Sequence, residues 1–113
     1  MKTIEDLDVY KVAYSLVLKI YKSTEEFPKT ELFGLRSQMT RAAVSVVSNL
    51  SEGGARITDG EKQHFYGIAR GSVCELITQI NISKDLSFIM EQNFTELLEL
   101  AERVRMMLNK MIK

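Results

Sequence analysis

The sequence predicts an all-α protein folded as an antiparallel, up-down-up-down four-helix bundle. Apolar residues recur at the three- and four-residue spacing of amphipathic helices through four segments of roughly 20 residues each. Short stretches containing glycine, proline and polar residues separate these segments. A length of 113 residues, with no internal repeat and no long linker, indicates one domain over residues 1–113.

The first helix is predicted over residues 6–25, because the residue before Pro28 is pushed out of the helical region of backbone space. The second is predicted over residues 30–52. We expect it to end at Gly53 and Gly54, because glycine readily takes the left-handed conformation that follows a helix.

The third helix is predicted over residues 59–85. Thr58 followed three residues later by Glu61 is the pattern of a capping box, in which each side chain binds a free backbone N–H of the first turn. The fourth is predicted over residues 91–112, where leucines, valines and methionines share one face and charged residues share the other.

The first predicted helix is apolar on two sides. One stripe is made of Leu7, Tyr10, Tyr14, Val17, Leu18 and Tyr21, and a second of Val9, Val12, Ala13, Leu16 and Ile20. A four-helix monomer offers one core, so the second stripe is expected to face another subunit. The polar strip that remains holds Lys11, Lys19 and Lys22.

The third predicted helix carries small residues opposite its apolar stripe. The apolar stripe is Phe65, Ile68, Ala69, Val73, Leu76 and Ile80, and the opposite line is Gly67, Gly71, Cys74 and Thr78. Glycine inside a helix costs about 1 kcal/mol relative to alanine. Two glycines on one face therefore indicate the close approach of another helix, and a solvent-facing helix that tolerates them is the alternative.

Polar residues of the second helix fit two interpretations. Asn49 and Glu52 are three residues apart and so share one edge, and Arg41 lies on the same polar side. A polar network that fixes the register between helices or subunits is the interpretation we favour. A contact to a ligand or to RNA is the alternative.

The residues of known catalytic and metal sites are scarce. His64 is the only histidine and Cys74 the only cysteine, so two-histidine relays, cysteine-rich zinc sites and Glu-x-x-His diiron pairs have no residues to form them. We expect no enzyme activity, no cofactor, no metal and no small-molecule substrate. The remaining alternative is a metal or small-molecule pocket built from Glu31, Glu52 and Glu75.

The charge balance and the N-terminus bear on partners and compartment. The 15 basic side chains are matched by 15 acidic ones, which excludes a protein that coats nucleic acid through bulk positive charge. Glu5 and Asp6 stand where a signal peptide would have its apolar core. The longest uncharged stretch, residues 42–51, is far shorter than the ~20 residues that cross a bilayer. We therefore expect a cytoplasmic protein with no membrane partner.

Five motifs follow one another in an order and spacing that resemble a known family. They are Phe27–Pro28, Glu31–Leu35, Gln38–Val46, Ser48–Gly53 and Gly71–Leu76. The chain resembles the four helix bundle protein family, also called the 23S rRNA intervening-sequence proteins, which is related to the accessory proteins of diversity-generating retroelements. The likeness covers nearly the whole chain; Ser51 departs from it, since the family usually has alanine there.

The resemblance implies an antiparallel four-helix bundle that assembles as a homopentameric ring, with no catalytic residue set. It also implies a link to RNA or to a ribonucleoprotein. Our leading functional prediction is therefore a non-enzymatic oligomeric scaffold that binds RNA or a ribonucleoprotein, and the alternative is a purely structural or protein-interaction ring.

Two sets of residues carry these predictions. The candidate phosphate contacts, which a ring would multiply into a basic belt, are Lys11, Lys19, Lys22, Arg41 and Arg56. The candidate interface or structural residues are Tyr14, Gln38, Asn49, Glu52, Gly67, Gly71, Ser72 and Glu75.

Overall fold

The computed structural model describes residues 2–113 and has an all-α architecture. Two short 3-10 helices, Ile4–Asp6 and Lys29–Glu31, accompany four α-helices: α1 (Asp8–Thr24), α2 (Leu35–Ala55), α3 (Asp59–Asp85) and α4 (Glu91–Met111). Residues 2–113 contain no β-strand, and none of their helices has the length and apolar character needed to cross a membrane. Met1, which the predicted domain over residues 1–113 includes, lies outside the described residues.

The second helix starts and ends later than the sequence predicted. The 3-10 turn Lys29–Glu31 occupies the predicted start, and the Glu31 carboxylate accepts a hydrogen bond from the Leu35 backbone N–H at 3.2 Å. This carboxylate satisfies one of the free N–H groups of the first turn, so α2 begins at Leu35.

At its other end, α2 continues through Gly53 and Gly54 to Ala55. No glycine takes a positive φ in residues 2–113, so neither of these two residues adopts the left-handed conformation that we expected to end the helix. Both glycines instead lie where neighbouring side chains come too close for a β carbon, against Tyr66 and Ile4. The expectation that they terminate the helix was wrong because their small size serves packing rather than a turn.

The starts of α1 and α3 show two kinds of N-terminal geometry. The 3-10 turn at Ile4–Asp6 precedes α1, which therefore begins at Asp8 rather than at residue 6. At the start of α3, the Thr58 hydroxyl accepts a hydrogen bond from the Glu61 backbone N–H at 3.2 Å, and the Glu61 carboxylate returns to Thr58, so the predicted capping box is confirmed.

The core lies along the axis that the four helices share. Each helix lies beside two others: α1 and α3 are both adjacent to α2 and to α4, while the backbones of α1 and α3 are not adjacent to each other. The buried stripe of α1 is Val9, Ala13, Leu16 and Ile20. In α3 the buried stripe differs from the prediction: Tyr66 is buried, Phe65 is half-buried, and Ile68 is 40% exposed.

A tight turn connects α3 to α4. Ser87 has a φ of 62°, and hydrogen bonds from the Ser87 and Phe88 N–H groups reach the carbonyls of Lys84 and Ser83. This is the Schellman arrangement, which closes a helix with one residue in the left-handed conformation. The turn directs Phe88 toward Phe27, with ring centroids 5.5 Å apart, and so covers one end of the core.

Candidate functional site

An exposed apolar stripe runs along the outside of α1. Tyr14, Leu18 and Tyr21 are 51%, 59% and 45% exposed, although the opposite side of the same helix is buried in the core. Their spacing of four and three residues places all three on one face. We call this surface the α1 outer stripe. The two apolar sides of α1 agree with the sequence pattern, but their assignment does not. The second stripe, expected to face another subunit, is buried in the chain's own core, and the stripe that contains Tyr14 is the exposed one.

A polar groove lies between α2 and α3. It has a volume of about 260 Å³, and its lining is Gln38, Arg41, Ala42, Ser45, Ser72 and Glu75. The hydroxyls of Ser45 and Ser72 are hydrogen-bonded across it at 2.8 Å. This α2–α3 groove brings together Gln38, Arg41, Ser72 and Glu75, four of the residues that the sequence singled out on two separate helices.

Asn49 and Glu52 have separate partners. The Asn49 amide donates to the Ser45 carbonyl at 2.8 Å and to the Ser45 hydroxyl at 3.1 Å, which ties it to the α2–α3 groove. Glu52 instead forms an ion pair with Arg56 at 2.9 Å. The two residues are therefore not bonded to each other, and only Asn49 is linked to the groove, through Ser45.

The carboxylate of Glu75 supports a buried amide. Gln79 is only 4% exposed, and its Nε2 donates to Glu75 Oε1 at 3.1 Å. The other amide atom, Gln79 Oε1, is buried with no hydrogen-bond partner in residues 2–113. An unpaired buried carbonyl is destabilising, and no signal in the sequence marked Gln79 as such a residue.

The line of small residues on α3 faces open space within one chain. A β carbon added at Gly67 or at Gly71 would meet no heavy atom within 4 Å, and the Cys74 thiol is exposed. We call Gly67, Gly71, Cys74 and Thr78 the α3 seam. Gly71 and Glu75 are four residues apart and thus neighbours on the helix, so the α3 seam borders the α2–α3 groove.

The five candidate phosphate contacts fall into two groups. Lys19 forms an ion pair with Glu96 of α4, and Arg56 is paired with Glu52 while its guanidinium lies 4.7 Å above the Phe65 ring. Lys11, Lys22 and Arg41 are exposed and form no ion pair with any residue from 2 to 113. Two of the five predicted contacts therefore have their charge already compensated.

A second, larger groove lies between α1 and α4. It has a volume of about 610 Å³; Phe88, Ile89 and Leu97 are among its apolar lining residues, and Lys19 and Lys22 line it from α1. Sequence reasoning missed this α1–α4 groove. Its lining comes from two separated parts of the chain, residues 19–26 and 88–97, and a periodic pattern within one segment cannot show that the two parts meet.

The three carboxylates that formed the alternative metal or small-molecule pocket have unrelated surroundings. Glu31 binds the first N–H of α2, Glu52 pairs with Arg56, and Glu75 holds Gln79. Across residues 2–113, no group of three histidine, cysteine, aspartate or glutamate side chains has the arrangement needed to hold a metal ion.

Comparison with known proteins places this architecture in a family. The family model described as "23S rRNA-intervening sequence protein" matches residues 5–110. A solved structure from Bacteroides thetaiotaomicron, described as a protein of unknown function from the S23 ribosomal protein family, superposes with a TM-score of 0.84 at 16% identity, covering 93% of this chain and 98% of that one. Among curated proteins, none matches. Because the family model spans nearly the whole chain, the protein belongs to the 23S rRNA-intervening sequence protein family.

Proposed function

We propose that the protein is a non-enzymatic scaffold that self-associates through the α1 outer stripe. The observation that carries the proposal is the exposure of Tyr14, Leu18 and Tyr21 on a helix whose opposite side is already buried in its own core. Large apolar groups gathered on one outer face of a small domain usually mark an interaction site. The proposal assigns no catalytic residue, cofactor or metal to the chain.

The proposed receiving surface is the α3 seam together with the α2–α3 groove of a neighbouring copy. Glycines let a helix approach closely, and the space beside Gly67 and Gly71 is open. Tyrosine suits such a contact because its ring packs while its hydroxyl forms a hydrogen bond. Arg41 and Glu75 at the groove offer a donor and an acceptor to tyrosine hydroxyls.

This pairing joins two different faces of the chain. We infer an antiparallel, up-down-up-down course, which is supported by the hydrogen bond from Gln63 near the start of α3 to the Met111 carbonyl at the end of α4. The backbones of α1 and α3 are not adjacent, so the two helices are diagonal members of the bundle and their outer faces point in different directions. A contact between unlike faces generates a ring when the rotation closes. The family resemblance supports five copies.

A mixing experiment tests this arrangement. A stripe variant, Tyr14→Lys with Leu18→Lys, and a seam variant, Gly67→Gln with Gly71→Gln, are each expected to be monomeric because every contact lacks one of its two faces. When the two variants are mixed, the intact α3 seam of the stripe variant can receive the intact α1 outer stripe of the seam variant. Light scattering is then expected to find heterodimers of about 26 kDa from the 12.9 kDa chain.

The control is Met106→Lys, which places the same charge on an exposed apolar residue of α4 outside both surfaces and is expected to leave assembly unchanged. Two monomeric variants that stay monomeric on mixing would contradict the pairing of these two faces. Assembly by the stripe variant alone would remove the α1 outer stripe from the account.

RNA binding is a second candidate, which we propose on the charge of residues outside any ion pair. Lys11 is exposed, makes no ion pair within residues 2–113 and lies outside the α2–α3 groove that the proposed subunit contact covers, and the family description names 23S rRNA. In a ring, each lysine and arginine recurs once per subunit, so a modest local charge is multiplied. Binding to phosphates through such residues releases counterions and weakens with salt.

The test is a titration of labelled 23S rRNA fragments at increasing salt. We expect an affinity that falls steeply with salt and that drops in Lys11→Ala. Lys110→Ala, which removes an exposed lysine of α4 without an ion pair, is the matched control. Absence of binding at low salt, or an equal loss of RNA affinity in Lys110→Ala, would contradict the proposed RNA contact.

A further inference from the structure

The α1–α4 groove combines an apolar floor with a charged rim. Ile89 and Leu97 are buried beneath it, Phe88 is half-buried, and Met90 at its edge is 70% exposed. Its volume of about 610 Å³ lies within the ~300–1,000 Å³ typical of binding clefts. A cleft of this size accepts a few apolar side chains of a partner. It lies between α1 and α4, away from the α3 seam.

The rim carries an uncompensated negative charge. Its lysines are Lys19 and Lys22, and its carboxylates are Glu25, Glu26 and Glu96. The pair between Lys19 and Glu96 cancels one charge of each sign. Glu25 and Glu26 make no ion pair with any residue from 2 to 113, so two free carboxylates stand against the one ammonium group of Lys22.

We propose that the α1–α4 groove binds a basic, amphipathic peptide segment of a protein partner. The apolar floor receives its aliphatic side chains, as in helix-in-groove recognition, and Glu25 and Glu26 meet its lysines or arginines. The same carboxylates repel a phosphate backbone, which makes nucleic acid the wrong occupant for this surface. Lys19, which is paired with Glu96, and Lys22 then lie at the rim of a protein contact rather than in the predicted basic belt.

The experiment uses three fluorescein-labelled synthetic peptides and the full chain. The first has leucines at the spacing of one helix face with lysines beside them, the second has glutamates in place of the lysines, and the third has alanines in place of the leucines. Fluorescence anisotropy is expected to detect binding of the first peptide only. Nuclear magnetic resonance shifts of the Ser23, Asn93 and Leu97 amides would locate it in the groove.

The variant Glu25→Gln with Glu26→Gln is expected to weaken binding of the lysine peptide about tenfold, since two exposed ion pairs are lost. The matched control is Glu99→Gln, which removes an exposed carboxylate of α4 outside the groove and is expected to change the affinity less than twofold. Both variants are compared at one salt concentration, because exposed ion pairs are screened.

Four outcomes would overturn the proposal. They are binding of the glutamate peptide with equal affinity, binding of the alanine peptide, an unchanged affinity in the double glutamine variant, and displacement of the lysine peptide from the groove amides by an RNA hairpin. The molar mass of each variant is measured in parallel. Loss of assembly in the double glutamine variant would identify the groove as a subunit contact and contradict peptide binding. If instead the stripe and seam variants still assemble, only the proposed self-association is contradicted, and the peptide proposal is unaffected.

Discussion

Tyr66 of α3 packs directly against the α carbon of Gly53 of α2. A β carbon on Gly53 would lie 2.6 Å from Tyr66 Cε1 and 3.2 Å from Phe65 Cβ. Gly53 therefore sets how closely the last turns of α2 approach the start of α3. This contact explains why a glycine occupies a helical position where alanine has the higher intrinsic propensity.

Gly53→Ala is expected to lower the free energy of unfolding by about 1–2 kcal/mol. The added methyl group displaces the buried Tyr66 ring, and such overpacking outweighs the roughly 1 kcal/mol that alanine gains in helix propensity. Urea denaturation followed by circular dichroism measures the change. A variant as stable as the parent would show that α2 and α3 adjust without cost.

The same substitution at Gly67 is expected to have the opposite effect on a single chain. Its β carbon meets open space, so alanine gains about 1 kcal/mol in helix propensity. Urea denaturation in the background of the stripe variant measures this gain without assembly. If the α3 seam receives another helix, Gly67→Ala in the otherwise unchanged chain also weakens assembly, and stabilisation without any loss of assembly would indicate a solvent-facing helix.

Replacing Gln79 with methionine is expected to stabilise the fold by about 1 kcal/mol. The substitution removes the unpaired Oε1 while it keeps the volume of the side chain, and Glu75, which is exposed, regains water as a partner.

Gln63→Met is the matched control, because both amide atoms of Gln63 are bonded, to the Met111 carbonyl and to the Lys113 N–H. The midpoint temperature of thermal unfolding is expected to rise in Gln79→Met and to fall in Gln63→Met. A loss of stability in both would show that Gln79 Oε1 has a partner in solution.

The capping box of α3 predicts a pH dependence. Hydrogen bonds from the Thr58 hydroxyl and backbone hold the pKa of Glu61 below its ordinary value near 4.5. A lowered pKa in the folded state means that the ionised carboxylate stabilises the fold above pH 4.5 and that this contribution fades as the pH falls through the lower, folded-state value.

Glu61→Gln is therefore expected to lower stability at neutral pH and to reduce the loss of stability between neutral and acid pH. Urea titrations at a series of pH values test this, with Glu99→Gln as the control on an exposed carboxylate of α4. Parallel pH curves for the parent and Glu61→Gln would contradict the assigned role.

Periodicity predicted the four helices and both stripes of α1, because a helix face that is buried carries apolar residues at a regular three- and four-residue spacing within one segment. It did not predict where α2 ends, since a glycine pair signals equally a helix terminus and a close helix contact, and only the position of Tyr66 distinguishes them. The partner of Lys19, Glu96 of α4, was not predicted either, because it depends on which helices are neighbours. The α1–α4 groove was missed for the same reason.

The most direct test of the scaffold is the molar mass of the unmodified chain in solution. Multi-angle light scattering at micromolar concentration is expected to give a closed oligomer, about 65 kDa if five copies of the 12.9 kDa chain form the ring. The stripe variant, Tyr14→Lys with Leu18→Lys, is expected to give the mass of one chain. A single species of 12.9 kDa for the unmodified protein would contradict self-association and, with it, the proposed role of the α1 outer stripe.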